Sequence, residues 1–318
     1  RLESVCTLTG TVGSNPTLSA TYFLINYYYK LILYNMKFND ISVVILFYKT
    51  SYKVIKNLSN YKNFDIYILD QSNDIILKKK IEKKFPKIKY YGISNKNNGF
   101  AKGINFLVKK TKSKYFLCTQ PDTNITQKSI LKLKKTLKIK KDSVITVPKI
   151  KGFKNFSNKK KNMKIFPVKK ILGAVFLAVK KKVRELNMFD ERFFFYWEDV
   201  DLCKKIELSN LNIYLNSSVV AKHKGEGSVK ANLKTFIIRK VNFKYGEYLY
   251  QSKYSKLKII KILREPIKFL LMLIFYTFTF QFNKAVESLC SIYAIVKFLL
   301  NSGVNLIKNS FFQKKAIN

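Results

Sequence analysis

Residues 41–70 read ISVVILFYKTSYKVIKNLSNYKNFDIYILD. The first eight, Ile41–Tyr48, are a nearly continuous apolar run rich in β-branched residues, which suits a strand buried on both faces. A polar, helix-like segment follows over roughly residues 51–61. Phe64–Leu69 then reads as a second strand, ending at Asp70-Gln71-Ser72-Asn73. Strand, helix and strand in this order are the unit from which parallel sheets are built.

The alternation continues outward. A Lys-rich helix over residues 75–84 leads to a short strand at Ile88–Ile93. Asn97-Asn98-Gly99 makes a turn, and Phe100–Lys110 reads as a helix. Lys114–Thr119 is a further strand, ending at Gln120-Pro121-Asp122. An α/β fold is expected, with a mostly parallel sheet flanked by helices. In such sheets ligands bind beyond the carboxyl ends of the strands, where Asp70 and Asp122 both fall. Either aspartate alone is an ordinary turn former or helix cap. Two at one edge favour a nucleotide and metal site. One carboxylate can accept hydrogen bonds from a base or ribose. The other can ligate a hard divalent cation, Mg²⁺ or Mn²⁺, that neutralises a diphosphate.

Composition limits the alternatives. The 318 residues allow one large domain plus an appendage, and a hydrophobic fraction of 47% supports a core. The formal charge of +42 comes mostly from Lys, with 56 Lys against 5 Arg. A nucleic-acid surface is usually richer in Arg, which forks onto bases and phosphates. Abundant Lys, Asn, Ile, Tyr and Phe together indicate the bias of an AT-rich genome as much as a binding surface. The charge still attracts anionic membranes and nucleotide phosphates. No CxxC pair occurs among Cys6, Cys118, Cys203 and Cys290, so neither a zinc site nor a disulfide framework is indicated, and a cytoplasmic setting fits. Residues 1–29 hold no Lys and lack a signal-peptide pattern. Residues 1–35 are therefore expected to be a non-native or disordered extension, with Met36 as the native start.

Residues 189–203, FDERFFFYWEDVDLC, hold five of the chain's 19 acidic residues. Taken in order, ISVVILFYKTS, ILDQSND, NNGFAKGIN, CTQPDT, LGAVFLAVKK, FDERFFFYWEDVDLC and AKHKGEGS resemble glycosyltransferase family 2. The series is most similar to rhamnosyltransferase-like members of bacterial surface-polysaccharide synthesis. The resemblance runs from Ile41 to Ser228, 188 of 318 residues. Each motif alone is weak, whereas seven in order are specific for the family but not for the sugar.

The resemblance implies a GT-A fold over residues 36–230 and an inverting transfer from a nucleotide-activated sugar. Asp70 matches the family's nucleoside-contacting Asp. Tyr48 ends the first strand beside it. Asn97 and Gly99 match the N-x-G turn next to the nucleotide, and Asn105 the Asn on the following helix. Asp122 matches the metal-binding Asp of an N-P-D-T motif in which Gln120 here replaces Asn, so a single carboxylate remains. His223, the only histidine, matches a late His that completes the metal shell in relatives; a structural role is equally open. Gly173 is placed in a strand, where glycine marks either close approach of a ligand or a bulge. Asp199 matches the general base and Glu198 its neighbour. An acceptor hydroxyl is a poor nucleophile until a carboxylate takes its proton. The competing reading is a helix with acids in its first turn, favourable to the helix dipole. It is adopted for Asp201, and Asp190 is read as a turn residue.

Residues 231–318 are basic, apolar and expected to be helical. Phe269–Asn283 has 15 residues without charge, and such a helix spans roughly 22 Å against the ~30 Å hydrocarbon core. A helical appendage lying on the cytoplasmic membrane surface, or a helical pair packed on the catalytic domain, both follow. The expected partners are a nucleotide-diphosphate sugar and a glycan or lipid-linked acceptor. Two other classes compete. One is a non-catalytic relative that only binds sugars or partners, favoured by Gln120. The other is a nucleic-acid binder, favoured by charge alone and lacking any of the usual motifs.

Overall fold

The computed structural model describes residues 38–86, 88–152, 163–223, 232–254 and 257–315. The expectations for residues 1–35 and for the segment after His223 lie outside them. Nine described strands form one sheet: β1 (Phe38–Phe47), β2 (Phe64–Asp70), β3 (Tyr90–Ile93), β4 (Tyr115–Thr119), β5 (Thr123–Asn124), β6 (Ser143–Lys151), β7 (Ile165–Val168), β8 (Val175–Val179) and β9 (Asn212–His223). Their order is β3-β2-β1-β4-β8-β6-β9-β5, with β7 also on β9. The helices are α1 (Ile75–Lys84), α2 (Phe100–Lys110), α3 (Gln127–Ile139), α4 (Lys180–Glu185), α5 (Glu198–Leu208), α6 (Leu233–Lys253), α7 (Ile259–Phe278) and α8 (Phe282–Lys315).

The apolar runs explain the centre of the sheet. β1 pairs β4 in parallel, with Ile41 opposite Tyr115, and β2 pairs β3 in parallel. Val43, Val44 and Ile45 of β1 and Phe116, Leu117 and Cys118 of β4 are buried. That is the two-sided burial that helices on both faces impose. β8 then runs antiparallel to both β4 and β6, whereas β6 and β9 are parallel. The sheet is thus mixed and mostly parallel. The first two strands end at Phe47 and Asp70, and β4 at Thr119, so the loops that follow them share one edge.

Several boundaries differ from expectation: the first strand runs Phe38–Phe47, so Tyr48 lies just past its end, and β4 starts at Tyr115. The segment from Tyr52 to Tyr61 is a four-residue helix between two 3-10 turns. β3 starts at Tyr90, because Lys89 is held by a single bond from its N–H to the Ile66 carbonyl. Gly173 lies in a turn ahead of β8, not within a strand.

The last three helices pack on one another and on the acidic segment. Phe193 joins Tyr248, Leu249, Ile295 and Phe298 in one buried cluster, with Trp197, Ile262 and Phe269 against it. Residues 39–318 form one compact unit. Among the described residues no helix is long and apolar enough to cross a membrane.

Candidate active site

The loops at the carboxyl edge of β1, β2 and β4 surround a cleft of about 1050 Å³ including its open mouth. Tyr48, Asn97, Gly99 and Gln120 line it, as do Phe194 and Phe195. The β2 end is built around a buried carboxylate. Asp70 Oδ1 accepts from the Ser72 N–H at 2.8 Å and from the Ser72 hydroxyl, which fixes the turn after the strand. Its Oδ2 is buried without a hydrogen-bond partner. A buried carboxylate oxygen in that condition is costly unless a ligand donor meets it.

Gln71 was not singled out from the sequence, yet it organises the next loop. Its side-chain amide donates to the Gly99 carbonyl at 3.0 Å and its oxygen accepts from the Asn98 N–H. Asn97 closes the turn by accepting from the Gly99 N–H at 2.9 Å. Gly99 has φ 87°, and a Cβ there would collide with the Phe194 carbonyl. That carbonyl in turn accepts from the Phe100 N–H at 2.8 Å. Only glycine satisfies both demands.

Of the predicted residues only Tyr48, Asn97, Gly99 and Gln120 line the cleft; Asp70, Asp122, Gly173, Glu198, Asp199 and His223 do not, and Asn105 stands apart from it as well. Its amide donates to the Phe189 carbonyl at 2.9 Å and to Glu191 at 3.1 Å, and its oxygen accepts from the Phe189 N–H. Its hydrogen-bonding capacity is spent on the start of the acidic segment, so it positions that segment and does not line the cleft.

The β4 end carries Asp122, which is buried, and His223 comes to it from β9. The two pair because β5 and β9 are antiparallel neighbours with Thr123 opposite His223. His223 Nδ1 lies 3.4 Å from Asp122 Oδ1 and 3.2 Å from the Thr123 hydroxyl. No third His, Cys, Asp or Glu joins them among the described residues. One hard oxygen donor and one imidazole suit Mg²⁺ or Mn²⁺ only as a minority of its ligands, with diphosphate oxygens and water supplying the rest.

The acidic pair opens helix α5 immediately after two residues in the left-handed region, Tyr196 (φ 69°) and Trp197 (φ 72°). Non-glycine residues hold that conformation only where packing over-determines it. Here Trp197 packs against Phe243 and Tyr250 and over Gly246 of α6, where an added Cβ would come within 2.7 Å of the indole. The turn places Asp199 against Gly173, whose N–H donates to Oδ2 at 3.0 Å, while the Val200 N–H donates to Oδ1. A Cβ on Gly173 would sit 3.2 Å from that oxygen. The close approach inferred for Gly173 is therefore to a protein carboxylate. Ala174, next in the chain, accepts from the Gln120 N–H at 3.1 Å. Through this turn the acid pair is joined to the Gln120–Asp122 loop.

Glu198 is buried with one carboxylate oxygen unpartnered. Burial first, and then the charge of Asp199, push its pKa well above the ordinary carboxylate range. Asp199 is partly buried; burial raises its pKa too, opposed by the backbone donors of Gly173 and Val200. Asp190 and Asp201 are occupied otherwise. Lys253 of α6 contacts both, at 3.0 and 2.6 Å, and Tyr254 donates to Asp201 at 2.9 Å.

Asn232, Lys234, Thr235 and Arg239, from the first turns of α6, also line the cleft and were missed from sequence. Asn232 and Thr235 form a reciprocal capping box, which marks a helix start but not its neighbours.

Comparison of the sequence with curated proteins finds no match. The glycosyl transferase family 2 profile matches residues 42–203, just over half of the chain. Among solved structures, GalNAc-T7 with UDP, GalNAc and Mn²⁺ aligns with a TM-score of 0.52 at 13% identity, over 70% of this chain and 51% of that one. The 1–349 segment of S. aureus TarS in complex with UDP-GlcNAc aligns with a TM-score of 0.50 at 13% identity, over 84% and 92%. This chain thus spans about half the length of the GalNAc-T7 chain. At this identity the likeness is one of fold.

Proposed function

The chain belongs to glycosyl transferase family 2 and is a glycosyltransferase of GT-A fold, and from that premise we propose that it moves a sugar, with inversion, from a nucleotide-diphosphate donor to an acceptor hydroxyl. The observation that carries the proposal is the convergence of two carboxylate sites through one turn. The Asp122–His223 pair and the Glu198–Asp199 pair stand on either side of the contact between Gln120 and Gly173-Ala174. One pair serves the leaving diphosphate and the other the incoming hydroxyl.

The nucleoside sits in the cleft against Gln71 and the 97–99 turn, with Asp70 fully buried next to Gln71 in the chain. Tyr48 and Gln120 stand at the strand ends beside it. Lys234 and Arg239 add positive charge along its wall. Asp122 and His223 would hold a divalent cation, which when bound would supply positive charge to neutralise the departing diphosphate. Asp199 is the general base. Two backbone donors fix the orientation of its carboxylate, and its raised pKa makes it a stronger proton acceptor. Phe194 and Phe195 keep water from the reacting sugar. The acceptor is a glycan or lipid-linked saccharide. It enters through the neighbouring cavity between α6, α7 and α8, where Tyr196, Phe243 and Tyr276 offer sugar-stacking faces. Rhamnose, or another hexose, and cell-surface polysaccharide synthesis in the cytoplasm are the donor sugar and setting we assign. The 36–230 portion would hold the chemistry and 231–318 the helical support.

A thermal-shift panel of nucleotide sugars, each with and without Mg²⁺ or Mn²⁺, tests this reading. One donor should raise Tm in a metal-dependent way, and Asp122→Ala should abolish the metal dependence. Proton NMR of the product should show an inverted anomeric configuration. The absence of a shift with every donor would overturn it.

A further inference from the structure

Of the 25 large apolar side chains exposed among the described residues, 14 fall between residues 260 and 300. On α7 they recur at helical spacing: Ile260, Leu263, Ile267, Leu270, Ile274 and Phe278 lie on one outward face. Leu263, Ile267 and Phe278 are 61, 62 and 79% exposed. The inward face of the same helix is already used, since Ile262 and Phe269 pack into the cluster around Tyr248 and Phe298. Helix α7 is therefore apolar on two sides, with protein covering one. Ile262 and Phe269 share that cluster with Ile295, Phe298 and Leu299, and only residues 279–281 join α7 to α8, so the two helices run as antiparallel neighbours. Helix α8 adds Leu289, Tyr293, Val296 and Leu300 as exposed apolar positions.

The charges around this face have one sign. Lys258, Arg264, Lys268 and Lys284 are exposed at its margins. The acid of α7, Glu265, is turned inward to Lys244, at 2.8 Å, and to the Tyr248 hydroxyl. An apolar stripe bordered by exposed cations matches the interface of an anionic bilayer, with apolar side chains at the acyl boundary and ammonium groups among the headgroups. A water-exposed partner of ordinary polarity would leave the stripe unmatched. A spanning role is not available to α7, since no described helix is long and apolar enough.

We propose that the outward face of α7, continued by α8, docks the protein in the plane of an anionic lipid bilayer. The same helix lines, with Phe269, Met272 and Tyr276, the cavity assigned above to the acceptor. Docking thus brings that cavity to the lipid surface. The docking rests on the exposed face and its charges, whereas its use for a lipid-linked acceptor rests on the proposed function.

Co-sedimentation of the full chain with vesicles tests it. The protein should pellet with phosphatidylcholine vesicles containing phosphatidylglycerol, less with phosphatidylcholine alone, and less again at raised salt. The double substitution Leu263→Asp, Ile267→Asp should lower vesicle affinity roughly tenfold or more. Each of Arg264→Gln and Lys268→Gln should lower it about fivefold. These exposed substitutions should leave the circular dichroism melt and the donor-induced thermal shift unchanged, which separates failure of docking from failure of the donor reading. No pelleting with anionic vesicles, or pelleting indifferent to the substitutions, would overturn the proposal. So would a dimer in light scattering that the double substitution dissolves without vesicle binding in either protein.

Discussion

Glu198 and Asp199 are neighbours in sequence in unlike surroundings, and the difference separates two predictions. Asp199 is oriented by the N–H groups of Gly173 and Val200. Asp199→Asn keeps the side chain's size but cannot take a proton, and its amide can accept only one of the two backbone N–H groups. We expect kcat to fall by about 10²–10⁴-fold with donor binding retained, read from steady-state rates beside thermal shifts. Glu198 affects stability instead. Its folded pKa lies above the ordinary 4.5, so the folded chain keeps a proton that the unfolded chain has released. The stabilisation is full below 4.5 and is lost as pH rises through the folded value. Glu198→Gln cannot ionise, so its Tm should gain on the wild type steadily from pH 5 towards alkaline pH. Parallel melting curves across that range would remove buried Glu198 as the cause. At this scale the sequence was most informative where a motif places a carboxylate at a strand end, as at Asp70 and Asp122. It was least informative for Gln71 and Arg239. Their importance comes from loops and a helix brought together by folding, and neither residue type carries a local signal for that.

At the scale of elements, α5 and α6 are tied by charge. Lys253 bridges Asp190 and Asp201, and Asp201 is fully buried, with Lys205 at 3.2 Å as a second cation. Against the cost of burial, bonds from Arg192 and Lys253 hold Asp190 well below the ordinary carboxylate range. Lys253→Met keeps the aliphatic stem but withdraws the charge. We expect a loss of about 2 kcal/mol in unfolding free energy, because Lys205 and Tyr254 still satisfy part of Asp201. A denaturant midpoint equal to the wild type's would show the bridge to be dispensable. Helices α1 and α2 and the central strands were legible because their apolar spacing reports local structure directly. The strand β8 was legible as an apolar run but not as an antiparallel insertion between β4 and β6. Direction in a sheet is set by the chain's return path, which no short window contains.

At the scale of the whole molecule, the acidic segment belongs to two packing systems. Phe189 sits in the main core under the sheet, whereas Phe193 sits with Tyr248 and Phe298. Cutting the chain after residue 231 would expose Phe193 and Trp197 and leave Asp190 and Asp201 without Lys253. Losing the burial of two aromatics costs about 3–5 kcal/mol each, so the shortened chain should be insoluble or melt roughly 10–20 °C lower. Differential scanning calorimetry of the two lengths decides it. An unchanged melt would show that the helices are an independent appendage. The sequence pointed to a helical region there, from its charge-free run, but not to its hold on the acidic segment, which depends on contacts some fifty residues apart.

Three glycines make room for the six residues from Phe194 to Asp199. Gly99 yields to the Phe194 carbonyl, Gly246 to the Trp197 ring and Gly173 to the Asp199 carboxylate. They come from a loop, a helix and a turn that are remote in the chain, and they are three of only eleven glycines in a sequence dominated by lysine. A chain whose composition has drifted this far can exchange most surface positions freely, but these three mark where drift must stop. In a saturation mutagenesis screen they should stand out as intolerant islands on backgrounds that accept nearly anything. Together they would outline the reaction centre without any substrate being known.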